Sequence, residues 1–331
     1  MSGTPTATVV IPMRNEAGQI AECLESALAN VLPSGAIEFL VVDGASTDAS
    51  REIVEAFAAR DSRVRLLLNP DRLQAAAFNI GIREARGSYL IRMDAHSRYA
   101  TDYVAESLRL LEATGAGNVG GVQRAAGSGA IGEAIAAAVS SPFAAGDAKY
   151  RNATEPGWVD TVYLGAWRTT TLRELGGMRT DLAVNEDYEM NVRLRQLGHG
   201  VYLSPTIRST YFVRASLPKL ARQYGRYGFW KVRTLIDHPG SVRWRQLVAP
   251  AFVASILATP LTFAALGPVG LMHLVAYAVA NVAASAVVAA KTSWRHLPVL
   301  PWIFLLVHLS WGASFLAGLV WWPLRAIRRE R

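Results

Sequence analysis

The chain has 331 residues, 51% of them hydrophobic, and a formal net charge of +8. The positive charge is local: residues 215–245 carry seven Lys and Arg against one acidic residue, whereas residues 1–214 carry 21 basic and 24 acidic residues. Because the basic stretch adjoins uncharged segments, it favours contact with anionic lipid headgroups and argues against nucleic-acid binding. Cys23 is the single cysteine, which excludes an internal disulfide and fits a reducing compartment.

The first hundred residues alternate apolar stretches with helical patterns. The periodicity predicts strands at 6–13, 37–42, 64–68 and 89–93, helices at 17–29 and 72–86, and between them a helix after residues 46–48 that carries Ile53, Val54 and Phe57. Strands that are apolar on both faces and alternate with helices predict an α/β domain with a mostly parallel sheet, whose ligands bind at the carboxyl ends of the strands. The loops at these ends, 14–16, 43–48, 69–71 and 94–96, are all polar or acidic.

Beyond residue 115 the pattern is less regular. We predict strands at 118–124, at 161–167 and within 201–213, and a helix at 186–197 that Gly198 ends. The Gly- and Ala-rich residues 125–148 are predicted to be flexible or weakly helical. Residues 217–236 have the aromatic and basic pattern of an amphipathic helix at a membrane interface.

The last quarter of the chain is apolar enough for a bilayer. Residues 247–266 and 271–290 are uncharged and predict a transmembrane hairpin, and 297–322 predict a third span. The basic residues on either side of the hairpin can both be cytoplasmic, but three full spans would then place the basic C-terminus outside. The third segment is therefore re-entrant or interfacial, or it breaks the positive-inside rule. No signal peptide precedes Val9, so we expect the soluble part in the cytoplasm. The predicted domains are 1–214 (cytoplasmic), 215–245 (interfacial) and 246–331 (membrane).

A possible cation site follows the fourth strand. Asp94 and His96 are two residues apart, and alternation along a strand would turn both toward one point. Mg²⁺ often takes only one or two side chains plus substrate phosphates, and Mn²⁺ tolerates imidazole better. The alternative is an aspartate at a sheet edge beside a solvated histidine.

Three further motifs carry polar chemistry. Asp43 and Asp48 bracket a loop where a carboxylate can bind a nucleoside, although an ordinary turn with a helix cap fits as well. Glu186 and Asp187 open a helix, where acidic residues are favourable in any case. In a sugar-transfer site, Asp187 would act as general base on the acceptor hydroxyl and Glu186 would orient the acceptor.

Gln223 and Arg226 lie three residues apart, hence on one helix face. Arg226 could pair with a pyrophosphate or with a lipid headgroup.

In this order the motifs resemble the inverting family 2 glycosyltransferases of GT-A fold, and within them the succinoglycan-biosynthesis type of membrane-anchored exopolysaccharide glucosyltransferase. The resemblance covers about residues 6–236. It rests on five stretches: residues 9–16, 43–48, 94–96, 186–187 and 223–227.

The resemblance implies a metal-dependent hexosyltransferase in extracellular polysaccharide biosynthesis. Its donor would be a UDP-sugar, UDP-glucose first, and its acceptor a lipid-linked saccharide at the inner membrane, with the catalytic domain facing the cytoplasm. Mg²⁺ or Mn²⁺ would lie at Asp94 and His96, Asp187 would be the base, and Glu186 would assist. The nucleotide sugar would contact Pro12, Arg14, Glu16, Asp43, Asn79, Asp94, Gln223 and Arg226.

Two alternatives stay open at this point. One is a polyprenyl-phosphate glycosyltransferase, whose phosphate acceptor needs no deprotonation at neutral pH. The other, from a different class, is a non-catalytic membrane-anchored protein that binds nucleotide without turnover.

Overall fold

The computed structural model describes residues 4–213 and 215–329, with side chains as far as residue 325. By its internal contacts the chain forms two compact units. The first contains the residues up to 124 together with 152–212, and the second contains 125–151 together with the residues from 213 onward.

The described residues contain one nine-stranded sheet. Its strands are β1 Ala7–Met13, β2 Ile37–Asp43, β3 Val64–Leu68, β4 Tyr89–Arg92, β5 Ser97–Tyr99, β6 Asn118–Ala126, β7 Gly157–Val159, β8 Tyr163–Arg168 and β9 Val201–Phe212. The strand order is β3-β2-β1-β4-β8-β6-β9-β5, and β7 pairs with β9.

The helices follow the strands in the first half of the chain and dominate the end. They are α1 Ile20–Leu28, α2 Ser50–Ala58, α3 Gln74–Glu84, α4 Tyr103–Thr114, α5 Gly129–Val139, α6 Pro142–Ala145, α7 Lys149–Asn152, α8 Thr169–Glu174, α9 Glu186–Gln196, α10 Leu217–Asp237, α11 Arg245–Leu266, α12 Met272–Lys291 and α13 Leu300–Arg329. Short 3₁₀ turns lie at Pro239–Ser241, Gly267–Leu271 and Trp294–His296.

The parallel part of the sheet is formed by β3, β2, β1 and β4. Every residue of β1 and β2 is buried, as expected for parallel strands covered on both faces. The core at this point includes Phe39 and Ile91, and burying such a side chain stabilises the fold by about 1.5–3 kcal/mol. The predicted parallel arrangement is therefore confirmed, and β8, β6, β9, β5 and β7 extend it through mainly antiparallel pairs.

The chain after β4 departs from the prediction. The strand ends at Arg92, and a turn follows in which the Ser97 amide donates to the Asp94 carbonyl over 3.2 Å. The Tyr99 hydroxyl fixes this turn, because it lies 2.6 Å from the amide nitrogen of Asp94 and 3.1 Å from its carbonyl oxygen. The predicted strand at 89–93 is thus found, but strand alternation does not orient Asp94 and His96, since these bonds bend the chain into β5.

Residues 125–151, which the sequence analysis includes in the first domain, belong to the second unit. They form α5, α6 and most of α7. Of the two predicted alternatives, flexible or weakly helical, the structure therefore has the helical one. Ile135 and Val139 of α5 pack in one apolar cluster with Ile303 and Phe304 of α13. The small residues of α5 permit this close packing against the long helix α13. The many alanines of α5 therefore indicate a helix that packs against another helix.

The second unit contains an antiparallel helical hairpin. Phe252 of α11 stacks on Tyr277 of α12 with ring centroids 3.7 Å apart, and the Thr259 hydroxyl lies 3.0 Å from His273 Nε2. Gly267 begins the reversal with a φ of 58°, a value that favours glycine. Two described segments, Arg245–Lys291 and Leu300–Arg325, are by length and composition able to cross a membrane, and the first is the segment that folds back here.

Candidate functional site

Two loops at the carboxyl ends of β1 and β2 are joined by hydrogen bonds. The Asn15 amide donates to Ser46 Oγ over 2.9 Å, the Thr47 amide donates to Asn15 Oδ1 over 2.8 Å, and the Glu16 amide donates to Ser50 Oγ over 2.7 Å. Because β1 and β2 are in register with Met13 beside Asp43, both loops begin at the same edge. The two motifs, which follow each other in the sequence, are therefore also neighbours in space.

Asp43 is buried at the start of the second loop, and its carboxylate accepts bonds from the Ser46 amide and hydroxyl at 3.1 and 2.6 Å. Asp48 is exposed, and hydrogen bonds from the Ser50 hydroxyl and neighbouring amides lower its pKa. Both carboxylates thus shape the turn, which agrees with the alternative of a turn and cap. Of the other predicted nucleotide contacts at this edge, Pro12 is buried and Arg14 is exposed.

Asp94 follows β4 and is nearly buried. Its main chain is held by Tyr99 and its carbonyl by the Cys23 thiol. Its carboxylate has longer contacts, with Arg92 Nε at 3.3 Å, Gln74 Nε2 at 3.4 Å and Tyr163 OH at 3.5 Å. The backbone is therefore fixed firmly, while the carboxylate oxygens retain lone pairs for a further ligand.

His96 lies on the turn after Asp94. Its Nδ1 is 3.4 Å from Glu16 Oε1, and its ring packs edge-on against Tyr211 with centroids 5.3 Å apart. Tyr211 in turn lies beside Tyr163, whose hydroxyl faces Asp94. The turn, not strand alternation, thus links His96 to the loop of Glu16.

The donor set fits a divalent cation that brings further ligands with it. Among the residues that the structure describes, no group of three or more His, Cys, Asp or Glu side chains could enclose a metal ion. One carboxylate and one imidazole suit Mg²⁺ or Mn²⁺ that completes its shell with water and a diphosphate. The lightly bonded carboxylate of Asp94 satisfies that requirement.

The charges of three carboxylates act on the guanidinium of Arg92, and we call Asp94, Glu186 and Asp187 the carboxylate cluster. Glu186 and Asp187 begin α9, directly after Asn185, whose φ of 68° turns the chain into the helix. Burial lowers the pKa of Arg92, but the negative charges of the cluster more than offset this effect, and the net shift is upward. The motifs at 94 and 186–187, far apart in sequence, thus lie within electrostatic reach of one side chain.

Glu186 is buried, whereas Asp187 is half-buried. Burial first, and the neighbouring Asp187 charge second, raise the pKa of Glu186 to about 7, although Arg92 acts in the opposite direction. Near neutral pH a substantial fraction of Glu186 therefore carries a proton and can donate a hydrogen bond. Asp187 is the cluster member at the start of α9 that an incoming molecule can reach.

The shifted pKa of Glu186 predicts a pH-dependent stability. Between its ordinary value near 4.5 and about 7 the folded state binds the extra proton, so stability falls as pH rises through this window and then levels off. Glu186→Gln should remove this loss, on the order of 1–3 kcal/mol. In melting-temperature measurements on the detergent-solubilised chain, the decrease between pH 5 and pH 8 should be smaller in Glu186→Gln than in wild type. The exposed Glu174→Gln should leave that decrease unchanged, and an equal decrease in both variants would contradict the prediction.

Asn79 and the two predicted residues of α10, Gln223 and Arg226, make contacts with other parts of the chain or are exposed. Asn79 Nδ2 donates to the Met178 carbonyl over 2.7 Å, and its Oδ1 accepts from the Met178 amide over 2.8 Å, so its amide joins α3 to the loop after α8. Gln223 donates to the Tyr227 hydroxyl over 2.8 Å, and Arg226 is exposed on the same helix. Both belong to the second unit. The predicted contacts of Asn79, Gln223 and Arg226 with a nucleotide sugar stay predictions.

Sequence reasoning missed three side chains that contact Asp94. Arg92 is the last residue of β4 and stands two positions before Asp94, and a basic residue this close to a candidate carboxylate was a usable signal. Gln74 at the start of α3 and Tyr163 on β8 come from distant parts of the chain, and no local pattern marks them.

Comparison with known proteins agrees with this architecture. Residues 8–139 match the family model described as Glycosyl transferase family 2. Succinoglycan biosynthesis protein ExoA of Rhizobium meliloti (strain 1021) is 30% identical over 328 residues, which cover 97% of this chain and 96% of that protein. A dolichyl N-acetyl-alpha-D-glucosaminyl phosphate 3-beta-D-2,3-diacetamido-2,3-dideoxy-beta-D-glucuronosyltransferase of Methanococcus voltae is 28% identical, over 67% of this chain and 71% of that protein.

Among solved structures, the mannosyltransferase PcManGT from Pyrobaculum calidifontis, in complex with GDP-Man and Mn²⁺, superposes with a TM-score of 0.63 at 20% identity. The match covers 96% of this chain and 88% of that one. This likeness concerns the fold, and the predicted α/β GT-A architecture is confirmed. Since a relative at 30% identity spans nearly the whole of both chains, the protein is a glycosyltransferase that belongs to glycosyl transferase family 2.

Proposed function

We propose that the protein is an inverting, metal-dependent hexosyltransferase that moves a hexose from a UDP-sugar to a lipid-linked saccharide in extracellular polysaccharide biosynthesis. The observation that carries the proposal is the carboxylate cluster around Arg92 at the carboxyl end of β4. A candidate base and a candidate cation ligand that both act on the Arg92 guanidinium support a single displacement at an anomeric carbon.

The chemistry assigns different roles to the acidic residues. Asp187, which is half-buried, takes the proton from the acceptor hydroxyl as its oxygen attacks the anomeric carbon. Glu186 is buried, which raises its pKa and favours the protonated form, so it would orient the acceptor through a hydrogen bond. The bond from the anomeric carbon to the diphosphate breaks on the opposite face, which inverts the configuration.

Asp94 and His96 are the residues that would hold Mg²⁺ or Mn²⁺. When bound, such a cation supplies positive charge that stabilises the leaving diphosphate. Glu16, which contacts His96, and Asp43 lie on the two joined loops and are proposed to face the nucleoside, with Pro12 and Arg14 at their start.

The relatives support donor and pathway. PcManGT was solved with a nucleotide sugar and Mn²⁺, which supports a nucleotide-sugar donor and a divalent cation for this GT-A fold. The named process of ExoA, succinoglycan biosynthesis, supports an exopolysaccharide product. A UDP-hexose is proposed as the donor, with UDP-glucose tested first.

The surface of the second unit supports a membrane location. Large apolar side chains are exposed along the hairpin, with Leu257 71%, Leu261 75% and Val279 64% accessible. Large apolar side chains exposed in this number are unfavourable in water and suit contact with acyl chains. We propose a multi-pass protein of the inner membrane, with the first unit in the cytoplasm, where nucleotide sugars are available.

The experiment that tests the proposal supplies radiolabelled UDP-glucose with Mn²⁺ to the full-length protein in liposomes. Two acceptors are offered separately: a polyprenyl-diphosphate-linked saccharide and polyprenyl phosphate. Label on the diphosphate-linked saccharide, with inverted configuration, is the expected result. Label on polyprenyl phosphate alone would instead identify a polyprenyl-phosphate glycosyltransferase, and UDP binding without turnover of any nucleotide sugar would contradict the catalytic assignment.

A further inference from the structure

Arg92 is a charged residue buried inside the sheet. It ends β4, beside Val10 of β1 and opposite Gly165 of β8, and only 5% of its surface is accessible. A charge removed from water in this way is costly unless other charges and hydrogen bonds compensate it. The compensation here comes from outside its own strand.

The compensating groups are the three members of the carboxylate cluster. Arg92 Nε is 3.3 Å from Asp94 Oδ1, and the charges of Glu186 and Asp187 act on the same guanidinium. The other two side chains that contact the Asp94 carboxylate, Gln74 and Tyr163, are neutral. Arg92 thus contacts Asp94 just after β4 and lies within electrostatic reach of the two carboxylates at the start of α9.

The guanidinium is not saturated by these contacts. Its Nη1 atom is buried and has no hydrogen-bond partner, as is also true of Arg65 Nη1. The Arg92 guanidinium therefore contacts Asp94 through Nε, and the position of the Asp94 carboxylate depends on that contact.

We propose that Arg92 is a positioning residue of the glycosyl-transfer reaction, which fixes the Asp94 carboxylate on the donor side and Glu186 and Asp187 on the acceptor side of one site. The inference rests on the proposed function of these carboxylates. Without the guanidinium, three acidic groups in a poorly solvated site repel each other and move apart. A lysine restores the charge but not the planar fork that can serve two carboxylates at once.

The experiment compares Arg92→Gln, Arg92→Lys and a matched control, Arg65→Gln. Arg65 also faces two carboxylates, with Glu38 and Glu84 each 3.5 Å away, but it lies on β3 and contacts no residue of the proposed site. Full-length proteins are assayed with the donor that wild type turns over in a panel of UDP-glucose, UDP-galactose, UDP-N-acetylglucosamine and GDP-mannose. Melting temperatures are recorded alongside.

The expected result is a fall in kcat of about 100-fold for Arg92→Gln, the loss that a misplaced catalytic group produces. Arg92→Lys should recover part of it, and millimolar guanidinium ion should restore activity to Arg92→Gln but not to Arg65→Gln. Arg65→Gln should keep wild-type kcat even if it melts earlier.

Folded Arg92→Gln with wild-type kcat would overturn the inference. So would a loss of activity that merely follows the melting temperature, without rescue by guanidinium or by lysine. If Arg92→Gln does not fold, Arg92→Lys decides, and a wild-type kcat in that variant contradicts the proposed role. Turnover of GDP-mannose alone by wild type would contradict the UDP-sugar donor while leaving this comparison intact.

Discussion

Replacing Asp187 by asparagine is expected to lower the transfer rate by about 10²–10⁴-fold, the usual contribution of a general base. The amide has nearly the shape of the carboxylate but cannot accept the proton of the attacking hydroxyl. Because Asp187 is half-buried at the start of α9, the fold should tolerate the change. The measurement is kcat with the donor and acceptor of the liposome assay, together with the dissociation constant for UDP, which should change less than about twofold because no binding contact to the nucleotide is assigned to this residue.

Asp181→Asn is the matched control for this prediction. Asp181 precedes the same helix, pairs with Arg179 at 2.6 Å and is exposed. Its neutralisation changes the local charge by the same amount without touching the carboxylate cluster. Equal losses in the two variants would point to a general charge effect. Full activity in Asp187→Asn would remove this residue as the base and leave Glu186 as the next candidate.

Asp94→Asn should produce the second large effect. The substitution removes the carboxylate proposed to hold the cation. Such a cation would contribute several kcal/mol to stabilising the leaving diphosphate, so kcat/KM should fall by about 100-fold or more. Mn²⁺ binding in the presence of UDP, followed by electron paramagnetic resonance, should weaken in parallel. The variant also leaves the buried Arg92 without its 3.3 Å partner, so a lower melting temperature is expected as well.

The control for Asp94→Asn is Asp71→Asn. Asp71 is an exposed acidic residue on the loop after β3, another loop at the carboxyl edge of the sheet. It should keep both Mn²⁺ binding and activity. Unchanged Mn²⁺ binding in Asp94→Asn would contradict the proposed cation site, whatever its effect on stability.

Local pattern was enough to predict the parallel strands and the edge at which the polar loops meet. Asp43 ends β2 and Asp94 follows β4, and parallel strands bring their carboxyl ends together whatever the side-chain detail. The start of α9 at Glu186 was predicted from its acidic first turn and from the glycine that follows its end. These features depend on neighbours in sequence, so the sequence alone reveals them.

Features that depend on distant contacts were not predictable in this way. The turn after Asp94 exists because Tyr99 bonds to both backbone groups of that residue, and a histidine two positions after an aspartate does not reveal such a bond. Tyr163 reaches Asp94 only because β8 joins the sheet beside β4 in the antiparallel sense. The strand order that places it there follows from packing of the whole sheet.

The membership of α5 in the second unit affects how this enzyme can be divided. Ile135 and Val139 are covered by residues of α13 and α10, more than eighty positions later in the chain. A polypeptide stopped after β9 would therefore lose the partners of an apolar helix that interrupts its own catalytic half. We expect such a shortened protein to aggregate, and removal of the hydrophobic tail alone will not yield a water-soluble enzyme.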